Sequence, residues 1–303
     1  MSVPSLLVVG GNGFLGSAIC KAAVARGWEV ASMSSSGKPY TTPAGHTPKW
    51  VGDVRWHRAS AFEPSTYAEL VGSSSAVVHT LGILLEDTGY KSAVRRNDVL
   101  GLAKAVMGGI SGGDGNPLKS KEEKRRGYEG MNRDSALTVL DTMITSPTSA
   151  AGPSRPFVYV SASDCFRPVV PRRYIETKRE AESEILRMCL EKPEAGVRPI
   201  FMRPEGLMYH PHVRPLSTLP AFLLSLSAGL HDNVSLRLPL AADSLLGGAA
   251  EALRTHPLHV DHVAEAVIRS IADENRVGVV DVPTMREWAG LGKGTVGQAA
   301  FSS

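Results

Sequence analysis

The chain has 303 residues, of which 43% are hydrophobic and 21% charged, a balance that builds a substantial core and excludes wholesale disorder. Lys and Arg number 33 against 30 Asp and Glu, so the net charge of +3 gives no electrostatic case for a nucleic-acid partner. Cys20, Cys165 and Cys189 form no CxxC pair and suit a reducing compartment.

Met1 to Ser5 read as too short for a targeting segment and no cleavable presequence is visible, so an imported protein is expected to carry an internal signal or a trimmed precursor end. Leu6-Leu7-Val8-Val9 reads as a buried parallel strand. It runs into Gly10-Gly11-Asn12-Gly13-Phe14-Leu15-Gly16, after which Ala18, Ile19, Ala22, Ala23 and Ala25 keep helical spacing up to Gly27. In a strand, glycine turn and helix, glycine allows a tight bend, close backbone approach to a pyrophosphate and close helix–strand contact. The helix N-terminus then favours the anion. Gly10, Gly13, Phe14, Leu15 and Gly16 are the expected cofactor contacts, a tight structural turn being the plainer alternative. The second strand, Glu29 to Met33, leads into Ser34-Ser35-Ser36-Gly37-Lys38. No acid lies between Val30 and Lys38 to accept from a ribose 2′-OH, whereas Ser34, Ser35 and Lys38 suit a 2′-phosphate. NADP(H) is therefore expected over NAD(H).

A third strand is expected over Val54–Arg58, with Ser60, Ala61 and Phe62 near the adenine, then a helix over Thr66–Leu70. Ala76 to Gly82 reads as a fourth strand that brings Thr80, Leu81 and Gly82 to the cofactor. From 106 to 130 the pattern dissolves into glycines, Pro117 and a basic cluster, Lys119, Lys121, Lys124, Arg125 and Arg126, read as a mobile loop. Helix resumes at Met131-Asn132 and runs to Met143. A fifth strand, Phe157–Val160, ends at Ser161, a helix spans Tyr174–Cys189, and a sixth strand covers Val197–Met202. This alternation predicts an α/β, Rossmann-type doubly wound parallel sheet. Residues 1–205 form the dinucleotide-binding domain, and 206–303 a smaller substrate-covering region that returns segments to the core and ends in a flexible tail. The apolar stretch from Leu216 to Leu230 is broken by Pro220 and serines and is too short to span a membrane. Within it Phe222, Leu223, Leu224 and Leu226 read as core, or as an apolar wall for a lipid tail.

Tyr174 and Lys178 lie four apart on the predicted helix and share a face. A phenol with a pKa near 10 is a poor acid or base at neutral pH, and a neighbouring ammonium lowers it. Tyr174 is thus the expected proton carrier, Lys178 its activator and a cofactor ligand, Ser161 the donor to a substrate oxygen, and Asn132 the holder of a relay water. Arg172 and Arg173 leave open that Tyr174 merely starts a helix on a basic surface. No metal site is expected. His256, His259 and His262 recur every third residue without a matching acid or cysteine pattern, and they, His210 and His212 are read as structural. Nothing in the sequence marks Cys165 as reactive.

Together, Gly10 to Gly16, His79-Thr80-Leu81-Gly82, Met131-Asn132, Val160-Ser161 and Tyr174-x-x-x-Lys178 resemble the extended and atypical short-chain dehydrogenase/reductases. Arg203-Pro204-Glu205-Gly206 and Leu258-His259-Val260-Asp261-His262-Val263-Ala264 resemble that family's later segments, the second being a helix start. The likeness runs from about residue 5 to 283. Gly10 to Gly16, His79 to Glu86 and Tyr174 to Glu182 resemble one subgroup in particular. It consists of fungal mitochondrial proteins associated with coenzyme Q biosynthesis and related to the NADPH-binding accessory subunit of complex I. The resemblance implies a mitochondrial protein on the matrix side of the inner membrane, in peripheral contact with it. It also implies attachment to a coenzyme Q biosynthetic complex and a prenylated quinone-like ligand. Two other readings stand beside it: a non-catalytic nucleotide-binding assembly factor, and a nucleotide-sugar epimerase or dehydratase.

Overall fold

The computed structural model describes residues 3–83, 125, 127–146, 154–164, 170–204, 208–211 and 257–291. Strands β1 (Ser5–Val9), β2 (Glu29–Ser34), β3 (Val54–Arg58), β4 (Ala76–His79), β5 (Arg155–Val160) and β6 (Val197–Met202) appear where apolar runs predicted them. With β9 (Gly278–Val280) they form a parallel sheet in the order β3-β2-β1-β4-β5-β6-β9. The order reverses between β1 and β4, and ligands of open α/β sheets bind at the strand C-termini of such a point.

Strand side chains alternate between two cores. Leu6 and Val8 of β1 face one side, with Ile19 and Ala23 of helix α1 (Phe14–Ala25) and Val263 and Val267 of α5 (Val260–Ala272). Leu7 and Val9 face the other side. There they meet Val71 of α2 (Ala68–Ser73), Leu140 of α3 (Ser135–Thr145) and Ile185 of α4 (Arg172–Glu191). Each such side chain, fully buried, contributes about 1.5–3 kcal/mol.

Several elements depart from the expectations. β9 extends the sheet by a seventh strand, and β7 (Met208–Tyr209) pairs in parallel with β8 (Leu258–His259). Runs of two or three residues are too short to show a period. Helical backbone begins by Tyr128 rather than Met131 and widens into a π turn over Glu129–Asp134. The loop expected up to residue 130 therefore ends earlier. Gly130 is required there, because a Cβ would lie 2.4 Å from the Arg125 carbonyl oxygen. The helix expected from Thr66 is a 3₁₀ turn, Pro64–Thr66, followed by α2. The last described helix is α6 (Val282–Trp288).

Buried arginines close the N-terminal end of the sheet. Arg155 on β5 donates to the carbonyls of Val71 (2.6 Å), Ser74 (3.2 Å) and Met143 (3.3 Å), at the ends of α2 and α3. Arg198 on β6 donates to Ser270, Ile271, Asp273 and Arg276 carbonyls around the end of α5. A cation suits a helix C-terminus, where carbonyls lack partners. No helix among the described residues is long and apolar enough to cross a membrane. The expectations for Cys165, His212, Phe222, Leu223, Leu224, Leu226, His256 and the basic residues other than Arg125 fall outside the described residues. Arg125 itself lies over the Phe62 ring, 5.3 Å from its centroid.

Candidate active site

The glycine turn is closed by backbone contact. Gly10 has φ +88°, a conformation that L side chains rarely adopt. A Cβ on Gly16 would sit 2.3 Å from the Gly10 carbonyl oxygen, and one on Gly11 would sit 2.3 Å from Ser32 Oγ. Gly13 caps α1, whose first turn holds no acid and no capping side chain. Such an N-terminus suits an anion. Thr80 Oγ1 donates to Val9 O at 2.7 Å and so ties β4 to the start of the turn. Leu81 packs against Gly10, where an added Cβ would lie 2.9 Å from its Cδ2. The backbone cradle fits a dinucleotide.

The end of β2 is organised by Asn12. Its Nδ2 donates to Ser34 Oγ (3.2 Å), Ser36 Oγ (3.2 Å) and Lys38 O (3.4 Å). Ser34 Oγ also accepts from the Gly37 N–H at 3.1 Å. Ser35 and Lys38 are exposed here, and so is Arg58, whose Cβ would meet a side chain on Gly37 at 2.6 Å. Two cations and several hydroxyls thus stand where an acid would mark an NAD site.

Across the switch point, α4 brings Lys178 onto the ends of β4 and β5. Its Nζ donates to Val160 O at 2.8 Å and Leu81 O at 3.5 Å, and lies 4.7 Å from the Tyr159 ring centroid. Gly82 leaves room for it, since a Cβ there would lie 3.0 Å from Nζ. Burial pulls the Lys178 ammonium down to about 7 against a weaker opposing effect of Glu182. Beneath it, Tyr159 donates its hydroxyl to Asn132 O and stacks on His79. Burial first, then the Lys178 charge, push His79 down to about 3, so the ring is neutral. His79 Nε2 pairs with Ser135 Oγ at 3.1 Å.

Asn132 lies in the π turn, fully buried beside Gly82. Its Oδ1 accepts from Ile83 N at 2.9 Å, and its Nδ2 donates to Ile83 O and Thr177 Oγ1 at 3.3 and 3.4 Å. Its side-chain atoms and its carbonyl are committed to protein partners, so in this arrangement it fixes the β4 end rather than presenting a relay water. π turns recur at functional sites.

Ser161 follows β5 and is 3% exposed. Its Oγ accepts from Arg179 Nη1 at 3.0 Å, and Arg179 Nη2 donates to Ala162 O at 2.7 Å. Arg179 is held in turn by Glu182 (2.7 Å), which Arg203 also pairs. Tyr174 stands in the first turn of α4, edge-on to Tyr128 at 6.4 Å, packed with Ala162, Val170 and Ile175. Arg172 and Arg173 are not a bare basic surface. Arg172 pairs with Glu176, and Arg173 with Glu129, Glu176 and Glu180. The fold therefore brings Ser161, Lys178, Asn132, Thr80, Leu81 and Gly82 to one edge and places Tyr174 one helical turn from Lys178.

The pattern of the NAD dependent epimerase/dehydratase family matches residues 6–101. "MIOREX complex component 2" of Saccharomyces cerevisiae is 34% identical over 287 residues, covering 92% of this chain and 97% of that protein. The chain belongs to the NAD-dependent epimerase/dehydratase family. An Arabidopsis thaliana protein described as uncharacterized and chloroplastic is 27% identical, over 94% of this chain and 77% of that protein. Among solved structures, a short chain dehydrogenase family protein from Francisella tularensis superposes with TM-score 0.54 at 13% identity. The match covers 93% of this chain and 97% of that one, and it establishes a Rossmann-type fold.

Within this family framework the sequence reading missed Asn12, Arg58, His79, Tyr159 and Arg179. Asn12 sat unremarked inside the glycine turn, and Arg58 ends a strand already assigned. His79 and Tyr159 looked like strand interior, and only their partners on other elements reveal a polar network.

Proposed function

We propose that this protein is an NADP(H)-binding atypical reductase that supports ubiquinone (coenzyme Q) biosynthesis and acts on a quinone-related lipid. We place it in mitochondria, on the matrix side of the inner membrane, docked to a biosynthetic complex there. The observation that carries the chemistry is Lys178, a buried amine with its pKa brought to about 7, one helical turn from Tyr174 at the switch point. A group poised near the working pH is the best proton partner.

The nicotinamide cofactor, when bound, supplies or accepts a hydride. The glycine turn holds its pyrophosphate, and Ser34, Ser35, Lys38 and Arg58 favour a 2′-phosphate. Tyr174 moves a proton at the substrate oxygen, and Lys178 stabilises its phenolate. Ser161 accepts from Arg179, a group that can only donate, so its own proton remains for the substrate oxygen. Support for the quinone and for the mitochondrial address comes from the subgroup resemblance in the turn, the β4 end and α4. The yeast relative's name, that of a complex component, supports the docked state.

A second reading is a nucleotide-holding assembly factor, favoured by the commitment of the Asn132 side chain and carbonyl to protein partners. Tyr174→Phe separates the two readings. In the reductase, the variant keeps NADPH affinity within about twofold but fails to restore quinone synthesis in cells lacking the protein. Full restoration selects the assembly factor. Tighter binding of NADH than of NADPH would overturn the cofactor assignment.

A further inference from the structure

We propose that His210, His259 and Asp261 form a site for one divalent transition-metal ion of the zinc class. It lies where β7 and β8 pair, at the start of α5.

The three residues each offer a ligand atom, and these atoms all lie within 4.8 Å of one another. Zinc bonds of about 2.0–2.2 Å require such atoms to stand closer, so binding asks for side-chain closure on the order of 1 Å. All three are partly buried, reachable by an ion yet partly shielded from water. The His210 and His259 rings lie 4.9 Å apart between centroids, tilted by 40°, and His262 adjoins His259 at 5.7 Å. Tyr209 packs edge-on against His259 at 5.3 Å and limits its rotation. Two imidazoles and a carboxylate whose ligand atoms cluster, with a third imidazole beside His259, concentrate lone pairs, which a shared cation relieves. Two imidazoles with one carboxylate suit zinc and its neighbours rather than calcium or magnesium, which favour oxygen donors.

One contact of Asp261 and one of His259 compete with an ion, and both are weak. Asp261 Oδ2 pairs with Lys21 at 3.0 Å, but the lysine side chain is 51% exposed and can turn into water. The other carboxylate oxygen needs no such release. His259 Nδ1 accepts the Asp261 N–H at 3.2 Å as the cap of α5, a long bond that an ion at that nitrogen would replace. The site also has a structural purpose. β7 and β8 bracket residues 210–257, and His210 and His259 come from the two sides of that bracket. An ion between them would tie the end of β7 to the start of α5.

The sequence spacing hid this set, because His256, His259 and His262 suggest ligands from a single segment. His259 finds its partner just after β7 instead.

The test uses the full chain without a histidine tag, stripped with a chelator and titrated with Zn²⁺ by calorimetry and with Co²⁺ by absorbance. One equivalent of Zn²⁺ should bind saturably at micromolar concentration or below. His210→Ala and Asp261→Asn should each weaken it at least tenfold. The Co²⁺ spectrum should lack a thiolate charge-transfer band, as the site contains no cysteine. Limited proteolysis of the unmodified chain supplies a reading that does not depend on any variant folding: Zn²⁺ should slow cleavage within 210–257. Absence of saturable binding, variants that bind Zn²⁺ as tightly as the parent chain, a thiolate band, or proteolysis indifferent to Zn²⁺ would overturn the proposal.

Discussion

The fold buries cations at both ends of its sheet, and it uses a different side chain at each end. At the N-terminal end Arg155 and Arg198, 4% and 6% exposed, spend their guanidinium groups on carbonyls at helix termini. At the C-terminal end Lys178, 2% exposed, sits on the carbonyls of Val160 and Leu81. Burial lowers the pKa of all three. Arginine starts so far above neutrality that it stays charged in any accessible condition even when burial lowers its pKa, so it serves as a fixed cap. Lysine starts from 10.5 and reaches about 7, where it can gain or lose a proton. The same burial thus makes a scaffold at one end and a titrating site at the other.

The largest effect is expected at the scaffold end. Arg155→Ala should leave the Val71, Ser74 and Met143 carbonyls without a donor and cost about 3 kcal/mol or more. Urea denaturation checks this, and a loss below about 1 kcal/mol would remove Arg155 as a structural cap.

At the other end the main losses should appear in binding. In Gly16→Ala the new Cβ meets the Gly10 carbonyl oxygen at 2.3 Å and pushes the turn open. Overpacking of that kind costs about 1–3 kcal/mol of stability. NADPH affinity, read by fluorescence titration, should fall about a hundredfold, some 2.7 kcal/mol.

Lys178→Met sharpens the contrast because its effect on stability should have the opposite sign to that of Arg155→Ala. The folded pKa of about 7 lies below the unfolded 10.5. Below pH 7 the amine is charged in both states and the burial penalty is complete. As pH rises from 7 to 10.5 the folded chain sheds its proton first, and the penalty is relieved. Parent stability should therefore climb over that window relative to the Met variant. At pH 7 the variant should be the more stable by on the order of 1 kcal/mol. A pH series of urea midpoints decides it, and parallel curves would mean that Lys178 is not desolvated.

The smallest effect concerns the end of β2. Lys38→Ala and Arg58→Ala should each weaken NADPH by about tenfold, close to 1.4 kcal/mol, and leave NADH unchanged. Equal losses for both nucleotides would show that these cations do not read the 2′-phosphate.

Much of the architecture was legible without coordinates. β1 and β4 are buried almost throughout and read as apolar runs, and the strand–glycine–helix order placed the nucleotide edge. Tyr174 and Lys178 could be paired because helical spacing alone puts them on one face. The π turn that holds Asn132 leaves no such signature, and β7, β8 and β9 are too short to show a period.

What the amino-acid order determined by itself was therefore local: which segments are strands, which turn is forced by glycine, and which residues share a helical face. Only tertiary structure decided that Arg179 occupies Ser161, that Asn132 is committed to Ile83, that Lys178 is desolvated, and that His210 meets His259. These are contacts between chain-distant groups. Their burial and partners depend on how the sheet stacks its strands, and no short-range pattern encodes that.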